Sequence, residues 1–216
     1  MANELFNPLD KRNLGESVAR ALLDKPFVPL TNLQVFSGAG IYAIYYSGKF
    51  KPYARIAERN RNNSYSQPIY VGKAVPAGAR KGGFGLGINP GNVLFNRLKE
   101  HAESISTARN LETADFVCRY LVTDDIWIPL GEALLIEKFS PLWNRLIDGF
   151  GNHDPGSGRY EQQRSSWDTV HPGRPWAAKL RPASKTEGQL VQIILDYLKG
   201  KAVPTIPTES AVIEEP

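Results

Sequence analysis

Gly40-Ile41-Tyr42-Ala43-Ile44-Tyr45-Tyr46 is the stretch on which the fold turns. Its β-branched and aromatic residues, closed by Ser47-Gly48, read as a central strand. Outward from it, a polar and basic stretch runs to Gln67, where Pro68 opens a second short strand, Ile69-Tyr70-Val71-Gly72. Ala114 to Val122 reads as a third. Residues 76 to 91 hold six glycines and two prolines together with Arg80 and Lys81, a composition suited to a basic loop and not to an element interior. Asn92 is placed to cap a helix that runs to about Ile105, with Leu94, Leu98 and Ile105 inward. Pro129, at a first-turn position, starts another helix that Pro141 stops. A final helix is expected from about Glu187 to Leu198.

The flanks are read with less regular structure. Residues 1–36 form a helical lead-in, with Leu14, Val18, Ala21 and Leu22 at helical spacing and Pro26 and Pro29 ending the pattern. Residues 37–148 are the core, with a basic insertion at 47–67 and the glycine-rich loop at 76–91. Residues 149–202 are an ordered, loop-rich surface extension, because a linker rarely carries tryptophans such as Trp167 and Trp176. Residues 203–216 are expected to be a disordered tail. Strands and helices are thus interspersed along the chain.

Composition narrows the class. The 216 residues are 42% hydrophobic and 22% charged, which fits one folded domain with decorations. Cys118 is the single cysteine, so no disulfide forms within the chain, and its apolar neighbours favour a small buried thiol. Charged residues from Glu4 to Arg12 leave no room for a signal-type apolar segment, and no stretch reaches the roughly 18 apolar residues of a membrane span. A cytoplasmic location without membrane contact is therefore expected. The net charge of +4 says little until its distribution is considered. Lys49, Lys51, Arg55, Arg59 and Arg61 crowd the insertion against a single Glu58, the footprint expected of a nucleic-acid contact.

Three groups of residues can carry chemistry, and each also has an ordinary reading. Glu132 shares a helical face with Leu135, Ile136 and Phe139, where a carboxylate needs a metal, an arginine or a helix N-terminus as partner. Its own helix N-terminus would serve. Arg97 and His101 stand one turn apart and point the same way, which also describes the polar edge of an amphipathic helix. Tyr42 and Tyr70 lie on strands, where tyrosine is common for packing alone.

Their order along the chain is more telling. Gly40-Ile41-Tyr42, then Tyr70-Val71-Gly72-Lys73, then Arg97 and His101, then Glu132 through Pro141 to Asn144, resembles the GIY-YIG nucleases motif by motif. Two departures are visible. The segment between the first two motifs is over twice the usual length, and valine replaces isoleucine at Val71. The segments Tyr70 to Gly78, Asp148 to His153 and Trp167 to Arg174 further resemble homodimeric restriction enzymes of this superfamily that recognise CCGCGG.

That resemblance implies a mixed α/β (α+β) fold with a small three-stranded antiparallel sheet flanked by helices, and a Mg²⁺-dependent phosphodiesterase in which Mn²⁺ can substitute. It assigns Glu132 to the metal, Arg97 to the phosphate, and Tyr42 to the general base, with His101 assisting and nearby positive charge adjusting the phenol. Tyr70 and Lys73 orient water and phosphate, and Asn144 supports the site. Double-stranded DNA is the expected partner of a homodimer, and a cognate DNA methyltransferase the expected genetic companion. Products would carry 5′-phosphate and 3′-hydroxyl ends. Candidate DNA contacts are the five basic residues of the insertion, Arg80 and Lys81 of the loop, and Arg159, Arg164 and Arg174; of the six arginines Arg55, Arg59, Arg61, Arg159, Arg164 and Arg174, at least half are expected only to solvate the surface. A structure-selective or repair nuclease on the same core, and a DNA-binding module without activity, remain the alternatives.

Overall fold

The computed structural model describes residue 7, residues 9–75 and residues 89–206. Most of the glycine-rich loop, with Arg80 and Lys81, and the last ten residues of the tail lie outside them.

An antiparallel sheet of order β1-β4-β2-β3 organises the chain, with β1 at Val28–Pro29, β2 at Gly40–Tyr46, β3 at Pro68–Ala74 and β4 at Phe116–Val122. All seven residues of β2 are buried, as the unbroken apolar and aromatic run implies for a central strand. Tyr42 pairs with Gly72 on one side and Tyr120 on the other. The three expected strands are present, and β1 is a fourth inside the segment read as purely helical. Val28 pairs with Cys118 and Pro29 with Val117. Pro29 has no N–H to give the ladder, which suits an edge strand of this length.

Alternation along β2 divides the core in two. Ile41, Ala43 and Tyr45 face α1 (Lys11–Leu23) and α4 (Ile128–Phe139), packing with Leu22, Leu135 and Ile136. Tyr42, Ile44 and Tyr46 face α3 (Val93–Thr107), α5 (Leu142–Arg145), α6 (Ser166–Val170) and α7 (Glu187–Leu198). The helices expected from Asn92, Pro129 and Glu187 are α3, α4 and α7. Asn92 sits at the N-cap of α3, but its side-chain oxygen accepts from Ser37 instead of an α3 amide.

Two stretches read as peripheral contribute to this second core. The basic insertion contains a short helix, α2 (Ala54–Arg59), with Tyr53, Ile56 and Ala57 buried. Asn60 closes its base, donating to the carbonyls of Tyr46 and Gln67 and accepting from the Gln67 amide. The segment after Asn144 was expected to be surface. Phe150 and Trp167 are 1% and 0% exposed and form core, whereas Trp176 is only half-buried. Cys118 is fully buried, and burial pushes its thiol up to about 12. No described helix is long and apolar enough to cross a membrane.

Candidate active site

Register places the two strand tyrosines together. Tyr42 on β2 is opposite Gly72, and Tyr70 on β3 is opposite Ile44, so both rings rise on the face covered by α3. Their centroids are 6.2 Å apart. Gly72 is required by that approach, since a Cβ there would meet the Tyr42 hydroxyl at 2.4 Å. The glycine of the second motif therefore makes room for the tyrosine of the first.

On α3, positions 94, 98, 101 and 105 form one inward stripe, and His101 occupies the third of them at 1% exposure. The ordinary reading of His101 as a polar edge is thereby excluded. Its Nε2 is 2.6 Å from the Tyr42 hydroxyl. Burial, followed by the charges of Arg97, Arg174 and His153, holds the imidazole well below its usual pKa, so His101 is neutral at pH 7. Burial and the neighbouring Tyr70 push the Tyr42 phenol well above its usual value against the lowering influence of Arg97. This corrects the expectation that nearby positive charge would set Tyr42: in the free chain desolvation wins and the phenol keeps its proton. A protonated phenol thus meets a neutral imidazole, and the tautomer of His101 sets which of the two donates.

One turn earlier, Arg97 borders a cleft of about 890 Å³ that Lys73, Asn96, Gly151, His153 and Arg159 also line. Its Nη2 donates to the Gly151 carbonyl at 3.1 Å, and its Nη1 lies 2.6 Å from His153 Nε2 and 3.3 Å from Glu100. Gly151, His153 and Glu100 were not singled out as site residues. The resemblance around Asp148 to His153 was the available signal, and its contact with Arg97 was invisible because 54 residues separate Arg97 from Gly151.

Lys73 projects from the other face of β3, toward α4. There its ammonium pairs with Glu132 at 3.0 Å, with the two side chains 27% and 18% exposed. The partner that the apolar face of α4 demands is thus a lysine. Glu132 is close enough to the tyrosines to help raise Tyr42. Among the described residues no three His, Cys, Asp or Glu side chains gather to cage a metal. A hard divalent cation would find an oxygen ligand here in the Glu132 carboxylate, which Lys73 pairs in the free chain.

Asn144 stands at the open side of β3. Its amide accepts from the Val71 N–H and donates to the Val71 carbonyl, each at 2.8 Å, and so satisfies an edge-strand residue as a further strand would.

The candidate DNA contacts are scattered. Arg159 lines the cleft, and half-buried Arg164 donates to the Ala177 carbonyl. None of Lys49, Lys51, Arg55, Arg59 and Arg61 lines the cleft. Arg55 reaches the Leu198 carbonyl at the end of α7, and Arg59 reaches Gln67. Arg174 departs from the expected DNA contact. It is 4% exposed, and its Nη atoms turn inward to the carbonyls of Gly149, Phe150 and Asn152 and face Asp168, so it presents no donor surface to DNA.

A small antiparallel sheet that turns tyrosines from adjacent strands toward an arginine and a histidine on one helix defines the GIY-YIG nuclease class. Residues 34–198 match the family model described as the Eco29kI GIY-YIG domain, and the chain belongs to that family of restriction endonucleases. The match begins before β2 and extends to the end of α7, so the segment after Asn144 is part of the family's domain. No curated protein matches the chain. Membership makes it a nuclease with DNA as its substrate class.

Proposed function

We propose that the chain is a type II restriction endonuclease that hydrolyses double-stranded DNA at a short palindrome, CCGCGG, in the presence of Mg²⁺ or Mn²⁺. The observation that carries the mechanism is the buried hydrogen bond between Tyr42 and neutral His101, next to Arg97, which can pass a proton inward when His101 carries its own on Nδ1. A phenol that keeps its proton is a poor base alone, but an unprotonated imidazole behind it can receive that proton. Water then attacks phosphorus, forming the new P–O bond as the P–O3′ bond breaks. The water proton passes to the Tyr42 oxygen, and the Tyr42 proton passes to His101 Nε2. Protonation from solvent completes the 3′-hydroxyl, and the 5′-phosphate stays on the other fragment.

Arg97 would grip the scissile phosphate through its fixed fork of donors. Lys73 and Tyr70 would orient phosphate and water, and Asn144 would hold β3 in register beneath them. Glu132 would hold the divalent cation, which supplies charge neutralisation at the phosphate and the leaving oxygen. Lys73 keeps that carboxylate paired in the free chain. Arg159 and Arg164 are the candidates nearest the cleft for base or phosphate contacts. The insertion's arginines and lysines would touch phosphates beyond it or only solvate the surface, and Arg80 and Lys81 are retained as candidates on sequence grounds alone.

Two equivalent strands in a palindrome call for two equivalent sites, hence a homodimer on DNA. A cognate DNA methyltransferase would be its genetic companion, and the cytoplasm its location. Glu132→Gln should abolish Mg²⁺-dependent cleavage of plasmid DNA while DNA binding persists. Parental turnover would remove Glu132 from the metal. Discrete, sequenceable ends at CCGCGG and two subunits per duplex on sedimentation are the expected results; smears, or equal affinity for a scrambled duplex, would overturn the target.

A further inference from the structure

The segment that follows Asp148 meets both functional side chains of α3 at their working ends. The Gly151 carbonyl holds Arg97 Nη2 at 3.1 Å, and His153 Nε2 stands 2.6 Å from Nη1. One residue earlier the Phe150 ring lies flat on His101, with centroids 4.4 Å apart and planes 16° from parallel. A loop with this task has to be rigid, yet residues 149–152 form no helix or strand.

Arg174 supplies the missing constraint. Its Nη1 donates to the Gly149 carbonyl at 3.0 Å and lies 3.4 Å from that of Asn152, and its Nη2 donates to the Phe150 carbonyl. The guanidinium stacks on Trp167 at 4.3 Å and faces Asp168 at 3.6 Å. Asp168 in turn accepts from the Ser165 hydroxyl at 2.7 Å. Burial lowers Arg174 only to about 10, so it stays charged at neutral pH and its hydrogen bonds are charge-assisted. A planar fork can hold several carbonyls in fixed directions, as a lysine ammonium on a flexible stem cannot.

We propose that residues 149–153, braced from behind by Arg174, are the positioning element for Arg97 and His101. The inference rests on the reading of Arg97 as the phosphate grip. Gly151 is the point at which it can be isolated. Its backbone is outside the left-handed region, so alanine is conformationally allowed, but the added Cβ would stand 2.9 Å from Arg97 Nη2. The guanidinium has to move, while Arg174 and the core behind the loop keep their contacts.

The experiment compares Gly151→Ala, Arg174→Lys and Arg97→Ala with the parent, using single-turnover cleavage in Mg²⁺ of a plasmid that the parent cuts, over a range of protein concentrations. Thermal melting is followed in parallel. Gly151→Ala should lower the maximal rate about 10²-fold, the cost of misplacing a catalytic group by roughly 1 Å. The half-saturating protein concentration should stay within about twofold, because the loss is in the transition state and not in ground-state binding. Its melting midpoint should equal the parent's. Arg174→Lys should fall between the parent and Gly151→Ala in maximal rate. A parental maximal rate in Gly151→Ala, or a loss that only tracks a lowered midpoint, overturns the positioning role if Arg97→Ala is inactive. Full activity in Arg97→Ala would instead overturn the reading of Arg97 itself.

Discussion

The molecule contains two buried tyrosine–histidine pairs, and they do different things. Tyr42 and His101 are 2.6 Å apart, and Tyr53 and His171 are 2.5 Å apart. Burial depresses both imidazoles, His171 to about 3, and raises both phenols. What differs is the company each pair keeps. The Tyr53 oxygen also accepts from Trp143 Nε1 at 3.0 Å, and His171 Nδ1 meets Asn110 Oδ1 at 2.8 Å. The Asn110 amide nitrogen donates to the Val170 carbonyl, which leaves its oxygen as acceptor and fixes the His171 proton on Nδ1. Every donor in that chain has an acceptor, and it ties the insertion, the Glu132–Asn144 segment and the C-terminal segment together. Tyr42 and His101 instead border Arg97, whose guanidinium lines the cleft, and the Tyr42 phenol feels the Glu132 carboxylate. The same two residue types build a closed staple in one place and, in the proposed mechanism, a proton path in the other, because only one of them adjoins a charged cleft.

Removing a single hydroxyl from each pair is the sharpest way to break this contrast. Tyr42→Phe should lose about 10²–10⁴-fold in turnover, the usual contribution of general base catalysis. Tyr53→Phe strands His171 Nε2 and the Trp143 N–H, which should cost about 1–3 kcal/mol of stability. Below its own melting range it should cut at the parental rate. Turnover assayed on folded protein, alongside denaturant melts, gives both quantities. A Tyr53→Phe variant that is stable but inactive, or a fully active Tyr42→Phe, would erase the distinction.

A smaller effect should be common to the two pairs. Both histidines are neutral when folded and have pKa values below the unfolded value of about 6.5. Below that pH the unfolded chain binds protons that the folded chain refuses. Stability is therefore complete above about pH 6.5 and falls as the pH drops toward the folded values, by up to about 1.4 kcal/mol per pH unit for each histidine. Urea melts between pH 7 and pH 4.5 check the slope, and an imidazole of His101 or His171 that titrates near 6.5 by NMR would contradict it.

The smallest change should come from the exposed insertion. Arg61→Ala, remote from the cleft lining, should leave the cleavage position and stability unchanged. If Arg61 contacts a phosphate, the logarithmic salt dependence of DNA binding should flatten by about one unit. No change in slope would assign it to solvation of the surface.

Local pattern was enough for the central strand at Gly40–Tyr46 and the helices near Asn92, Pro129 and Glu187. Strand alternation and helical periodicity are short-range properties, and the motif order added the family. The aromatic residues after Asn144 were misread as surface because glycine, proline and charge dominate their neighbourhood. Their burial depends on a cavity that α3, α5 and α7 create together. Arg174 was read as a DNA contact for the same reason, since no local rule separates an arginine that faces solvent from one aimed at three carbonyls.

The sequence by itself determined which elements form, which of them is the central strand and which family's motifs the chain carries, because those follow from side-chain type, spacing and order along the chain. Only the tertiary structure decided which tyrosine–histidine pair borders the cleft, that Lys73 meets Glu132 across the edge of the sheet, and that Arg174 braces a loop against Arg97. Those are contacts between residues far apart in sequence, set by strand register and by the burial of charge, and neither leaves a periodic trace in the chain.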